Sequence, residues 1–280
     1  MTYRSKLTDK MRKYLSDRLN CENVIKFIEK HISNNGIHPK KIKKLKVGTV
    51  DTAVDIIKYN DSLDNNNNNN NIPNKEWLEK ILFVNYDFIT EANYTGFEYF
   101  PYLYGVLNCH NNDKSKVYVF YEYFGANLLD LINKMEHPSE WYDIVFQLAI
   151  INHFLTEMHN YSYDGAVEDH MYNKLPKPIY QQYEFNNYQF NINHKYLIVY
   201  WNPASMKKTN NNNNDNSNIA NLLKYLEQNK DKIKIFPSAR IITLLNELLK
   251  QPSNTIEILN QYYNPKTQPQ KSTTTDTITP

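Results

Sequence analysis

The sequence predicts an α+β chain in two lobes, and three observations carry that reading. Runs of β-branched and aromatic residues dominate the first 125 residues, with one helical stretch inserted among them. Helical periodicity dominates the remainder, which holds one strongly apolar strand at Tyr196–Trp201. The length, 280 residues, suits one large domain or two small ones. A chain of this size can bury roughly three-quarters of its unfolded surface.

The elements follow in order. Met11, Leu15, Leu19, Val24, Ile25 and Ile28 stand at near-helical spacing, so one or two helices open the chain and end near Asn34-Asn35-Gly36. Ile42 to Tyr59 alternates around Gly48 and Asp51-Thr52, the pattern of a hairpin. Glu76 to Ile89 is helical, with Trp77, Ile81, Leu82 and Val84 on one side. Tyr102 to Val106 and Val117 to Tyr123 flank the polar turn Asn111-Asn112-Asp113 and form a second, tyrosine-rich hairpin. Leu128–Asn133 is a short helix. Ser139–Met158 is a long one, with Ile144, Val145, Leu148, Ile151, Phe154, Leu155 and Met158 on a 3.6-residue period. Tyr163 to Lys177 is read as a mixed loop. Helices over Ile219–Gln228, Ser238–Leu249 and Thr255–Tyr262 complete the chain.

Composition narrows the function classes. The net charge is +2, from 32 basic and 30 acidic residues, so charge gives no reason to expect nucleic-acid binding. Lys40, Lys41, Lys43, Lys44 and Lys46 form a basic cluster, read as a solvated face beside a strand, with a phosphate or anion site as the alternative. No apolar run approaches the roughly 18 residues that span a bilayer, and the polar N-terminus lacks a secretory leader pattern. Two cysteines, Cys21 and Cys109, form neither a disulfide framework nor a zinc cluster, so a reducing, intracellular setting is expected and Cys109 is read as a structural or incidental thiol. His153, His159, His170 and His194 lack metal-ligand spacing. Tyrosine is abundant, at 23 residues, and glycine scarce, at 6. The runs Asn65–Asn71 and Asn210–Asn214 read as surface insertions, and the Thr/Pro/Gln-rich tail from Pro265 as disordered.

The order of parts resembles a protein-kinase-like fold, with an antiparallel-sheet N-lobe and a small helical C-lobe. Phe100-Pro101-Tyr102-Leu103-Tyr104-Gly105 is similar to the strand after the αC helix, and Val119 to Leu128 to the last N-lobe strand, the hinge and the next helix. The segment Ser162-Tyr163-Asp164-Gly165-Ala166-Val167-Glu168-Asp169-His170 resembles the catalytic loop of the divergent kinase-like family of large DNA viruses of amoebae and algae. A tyrosine-rich hairpin follows, and Trp201-Asn202-Pro203-Ala204 takes the place of the metal-binding tripeptide. On this resemblance residues 1–36 are a helical extension and 37–125 the N-lobe with its 65–71 insertion. Residues 126–264 are then a reduced C-lobe with its 210–214 insertion, and 265–280 the tail.

The resemblance implies roles residue by residue. Lys58 would bind phosphate as the third-strand lysine, paired with Glu79 or Glu76 from the αC-like helix. Asp164 would be the catalytic aspartate. Asp169 and Asn202 would be the metal ligands, with carboxylate and amide exchanged relative to the family. An amide oxygen holds Mg²⁺ less well than a carboxylate. The glycine-rich phosphate loop is missing, Ser162 replaces the bracing histidine, and no Ala-Pro-Glu segment follows Asn202, although Asp215 could open the next helix.

These departures lead to the expectation of a pseudokinase that binds a protein partner, with ATP and Mg²⁺ bound weakly if at all. One alternative is an atypical active kinase transferring the ATP γ-phosphate to Ser/Thr. Another is a virion-associated scaffold protein whose tyrosine-rich surface is an interface. The expected setting is the host cytoplasm or the virion, without nucleic-acid or membrane partners.

Overall fold

The computed structural model describes residues 3–18, 20–24, 26, 43–47, 50–59, 75, 78, 84–111, 114–185, 187–200, 206–208 and 217–264. Over these residues the chain is α+β with antiparallel sheets. Both asparagine runs, Lys40, Lys41, Glu76, Glu79, Asn202, Asp215 and the tail from Pro265 lie outside the described residues. The chain divides into two compact units. The first is Met1–Lys134 with Tyr163–Lys174 and Leu197–Lys208; the second is Met135–Ser162 with Leu175–Tyr196 and Thr209–Pro280.

In the first unit a helix, α1 (Tyr3–Arg18), precedes the expected hairpin of β1 (Lys43–Val47) and β2 (Val50–Tyr59). The tyrosine-rich hairpin follows as β3 (Leu103–Asn111) and β4 (Lys114–Glu122). The four strands form one antiparallel sheet in the order β1-β2-β4-β3. Because side chains alternate along a strand, the register divides the sheet into two faces. Val54 pairs with Phe120 and Ile56 with Tyr118 on one face; Ala53 pairs with Tyr121 and Asp55 with Val119 on the other. The first face packs Val54, Tyr118 and Phe120 against Met11 and Leu15 of α1. Arg4 locks the start of α1 onto the end of β4: its guanidinium donates to both carboxylate oxygens of Glu122, the closest at 2.7 Å, and to the carbonyl of Phe100 at 3.0 Å.

The second face of the sheet meets α2 (Val84–Tyr94), whose Tyr86 ring lies 6.2 Å from that of Tyr121. This helix runs beyond the expected end at Ile89. The extension includes Asn93, a poor helix former whose amide nitrogen donates to the carbonyls of Phe100 and Pro101, each at 3.2 Å. Gly96, at φ 102°, then turns the chain out of the helix, a conformation that favours glycine. The first unit also holds β5 (Ala126–Asn127) and α3 (Leu128–Lys134). Asn127 and Asp130 cap that helix reciprocally, each side chain accepting from the other's backbone N–H at 3.0 and 3.1 Å.

One expectation about the cysteines is overturned. Cys21 and Cys109 are joined in a disulfide across 88 positions, with 5.5 Å between their Cα atoms. Cysteine count alone argued against a multi-bridge framework, but one bond needs only two sulfurs brought together by packing.

The second unit is built on α4 (Glu140–His153), which continues as one π-helical turn, Phe154–Met158. Around it pack α5 (Ser217–Gln228), α6 (Ala239–Lys250) and α7 (Thr255–Tyr263). Trp141, Phe146, Leu148, Leu222, Leu244, Leu248 and Leu259 are buried there. Ser238 caps α6 by accepting from the N–H of Ile241. β6 (Tyr161–Tyr163) follows the π turn; later come β7 (His170–Phe185), β8 (Tyr188–Tyr200) and β9 (Met206–Lys208). The expected loop at Tyr163–Lys177 is therefore strand from His170 onward. Most side chains of β7 are exposed, so the strand carries no apolar alternation, and its pairing with β8 is what defines it.

Candidate functional site

The described candidate residues belong to the first unit. Asp164 and Asp169 share one short loop that leaves β6, turns through a 3₁₀ helix at Val167–Asp169 and enters β7 at His170. Local chemistry dictates its shape. The ring of Tyr163 folds over Gly165 so closely that a Cβ there would lie 2.2 Å from the ring, and glycine is required for that approach. Asp169 turns back on its own loop, its Oδ2 accepting from the N–H of Ala166 at 3.0 Å. The backbone oxygen of Asp169 accepts from the Tyr163 hydroxyl at 3.4 Å.

His170 completes the loop. Its Nδ1 is 2.9 Å from the Ala166 carbonyl, and its ring lies 4.6 Å from that of Tyr200 and 5.4 Å from that of Tyr163. The Nε2 atom is buried without a hydrogen-bond partner. Burial in this aromatic setting outweighs the backbone carbonyls of Ala166 and Val167, and lowers the imidazole from 6.5 to about 4. The ring is neutral at pH 7.

Asp164 is half-exposed and ion-paired with Lys207 of β9. The same strand is tied to α2, because Asn85 donates to the Met206 carbonyl at 3.1 Å. Tyr200, the last residue of β8, donates its N–H to the Tyr99 carbonyl at 2.9 Å. The acidic loop, β9 and α2 are thus joined within one unit.

Lys58 stands apart from these groups. It pairs with Lys116 on the face shared with Val54 and Ile56, the face that carries α1. The central β2 residue on the α2 side is Asp55. Tyr121 is hydrogen-bonded to its carboxyl, and the hydroxyls of Tyr121 and Tyr86 are bonded to each other. Burial raises the Asp55 carboxyl above the ordinary aspartate range, although the backbone N–H of Ile56 and the Tyr121 hydroxyl oppose the shift. The same burial raises both tyrosines, so their hydroxyls remain protonated donors.

Sequence reasoning missed Asp55 and Lys207. Asp55 had a signal, as a lone acid inside the apolar run Ala53-Val54-Asp55-Ile56-Ile57. Lys207 had none, since its partner is 43 positions away.

Among the described residues no group of three or more His, Cys, Asp or Glu side chains could hold a metal ion. Asp169 therefore belongs to no described set of three such ligands, and Asn202 lies outside the described residues. In the second unit His153, Phe185 and Tyr188 line a cavity of about 590 Å³ with Glu157, Glu184 and Glu257. No described helix is long and apolar enough to cross a membrane.

No family model matches the chain. It is 39% identical over 278 residues to a protein of Acanthamoeba polyphaga mimivirus described as uncharacterized, a match covering 94% of this chain and 99% of that relative. The viral part of the sequence resemblance is thereby supported, while this relative's description is silent on kinases. The chain belongs to the family of that mimivirus protein, a family of the large DNA viruses of amoebae.

Proposed function

We propose that the protein is a pseudokinase: a kinase-like scaffold that binds a protein partner and does not transfer phosphate efficiently. The order of its parts supports the reading. A helix stands between the second and third strands, and a long helix leads to an acidic loop. A hairpin then runs to the position of the metal tripeptide.

The observation that carries the proposal is Asp55. In kinases the lysine that grips the nucleotide phosphates faces the αC helix and pairs with its glutamate. Here the residue facing α2 from the centre of β2 is an acid bonded to Tyr121. Ionised, it repels phosphate; protonated, it still supplies no positive charge. Lys58, the residue needed by the active-kinase alternative, lies on the α1 face. Asp164 would have to leave Lys207 before serving as a base. For protein binding, β7 offers Ile179 and Tyr180, exposed by 50% and 70%.

The test is thermal-shift titration of the full chain with ATP, with and without Mg²⁺ or Mn²⁺, alongside a phosphotransfer assay. The expected outcome is no metal-dependent stabilisation and transfer no higher than background. Asn202→Asp should leave this unchanged, because Asp55 still occupies the phosphate side of β2. Robust transfer abolished by Asp164→Asn would overturn the proposal.

A further inference from the structure

We infer that the Cys21–Cys109 bond is a redox-reversible tether that fastens the helical turn at residues 20–24 to the α1 face of the sheet. Three observations carry this. The two cysteines are the only ones in the chain, so the oxidised monomer has a single pairing and cannot scramble. Their Cα separation of 5.5 Å lies within the range that a disulfide spans without backbone movement. The two ends also differ in access: Cys109 is 2% exposed inside the α1-face cluster, whereas Cys21 is half-buried at its edge.

The surroundings show what the bond holds. α1 has anchors of its own, since Arg4 is bonded to Glu122 and Arg12 donates to the Leu103 carbonyl at 3.0 Å. The 20–24 turn is organised locally, with Asn20 accepting from the N–H groups of Asn23 and Val24 at 2.9 and 3.0 Å. Among the described residues, buried Val24 and the disulfide hold it against the sheet. Breaking the bond therefore loosens the turn and leaves α1 seated.

The exposed end sets the direction of attack. A thiolate of an external dithiol attacks Cys21 Sγ, and Cys109 leaves as a thiolate that takes up a proton. The second thiol of the reductant then displaces Cys21, so the protein gains two electrons and two protons while the dithiol becomes a disulfide. A small-molecule disulfide as oxidant reverses the exchange. The expected reducing setting would keep the tether open, and an oxidising one closes it.

The experiment uses the full chain equilibrated with oxidised glutathione or with dithiothreitol. Thiol titration after denaturation should find no free thiol in the first case and two in the second. Amide exchange across residues 20–24 should quicken at least tenfold on reduction, with little change at Arg4–Arg12. Cys21→Ser should reproduce the fast exchange under oxidising conditions. Two free thiols after oxidation, or exchange at 20–24 indifferent to the reductant, would overturn the inference. Quickening spread evenly over α1 would also overturn it, because the bond would then hold the helix and not the turn.

Discussion

Asp143 in the second unit and Asp55 in the first both leave water for surroundings walled by tyrosine, yet their carboxyl groups meet different partners. Asp143 Oδ1 accepts from Gln147 Nε2 at 2.7 Å and from His194 Nδ1 at 2.6 Å, and its Oδ2 from the Lys195 N–H at 2.9 Å. His194 is bonded in turn to Tyr183 at 2.7 Å. Both oxygens find donors, and the network latches β7 and β8 onto α4. Asp55 has one backbone N–H and the Tyr121 hydroxyl, and burial raises it. The comparison teaches that an enclosed acid is a fastener when its donors are complete and an electrostatic liability when they are few. A liability retained on the α2 side of β2 is the feature on which the proposed pseudokinase reading rests.

The comparison breaks first at Asp143. Asp143→Ala leaves His194, Gln147 and the Lys195 N–H without their acceptor. It should cost about 3 kcal/mol, roughly 1 kcal/mol for each of the three buried donors left unsatisfied. Urea unfolding measures this, and a loss below about 1 kcal/mol would mean that the network is incidental.

His170 sharpens the contrast from the side of pH. Its folded value of about 4 lies below the ordinary 6.5, so the unfolded chain binds the extra proton first as pH falls. The stability held by the neutral ring is therefore complete above 6.5 and is lost as pH falls through 4. The loss amounts to about 3 kcal/mol at 1.36 kcal/mol per unit. Denaturation midpoints at pH 7 and pH 4 should differ accordingly, and His170→Phe should flatten the difference.

Asp55→Asn has the smallest expected effect and the opposite sign. The folded carboxyl is raised, so its favourable contribution is present below the unfolded value and is lost as pH rises through the folded one. Asparagine removes that loss and can still accept from Tyr121. The variant should gain about 1 kcal/mol at pH 7, the worth of one ordinary hydrogen bond. The gain should vanish near pH 3. Destabilisation at neutral pH would show that the charge itself is used.

Much of this was legible from local patterning. The 3.6-residue apolar period of Ser139–Met158 and the aromatic runs around Asn111-Asn112-Asp113 marked their elements correctly. The extent of α2 and the strand nature of β7 were not legible. Asn93 in the extension of α2 donates to two carbonyls beyond the helix end, and β7 is polar along most of its length. The acidic loop was legible as a loop, since Asp164 and Asp169 lie five positions apart on a turn that their neighbours shape.

By itself, the sequence determined the α+β class, the order of hairpins and helices, and the placing of Asp164 and Asp169 on one loop. Each depends on residues a few positions apart, whose periodicity and turn chemistry act before any long-range packing. Tertiary structure alone decided that Asp55 and not Lys58 faces α2, that Lys207 meets Asp164, and that Cys21 bonds Cys109. Those outcomes turn on strand register, where a shift of one residue exchanges the two faces of β2, and on pairing across 43 and 88 positions. Local propensity carries no information about either.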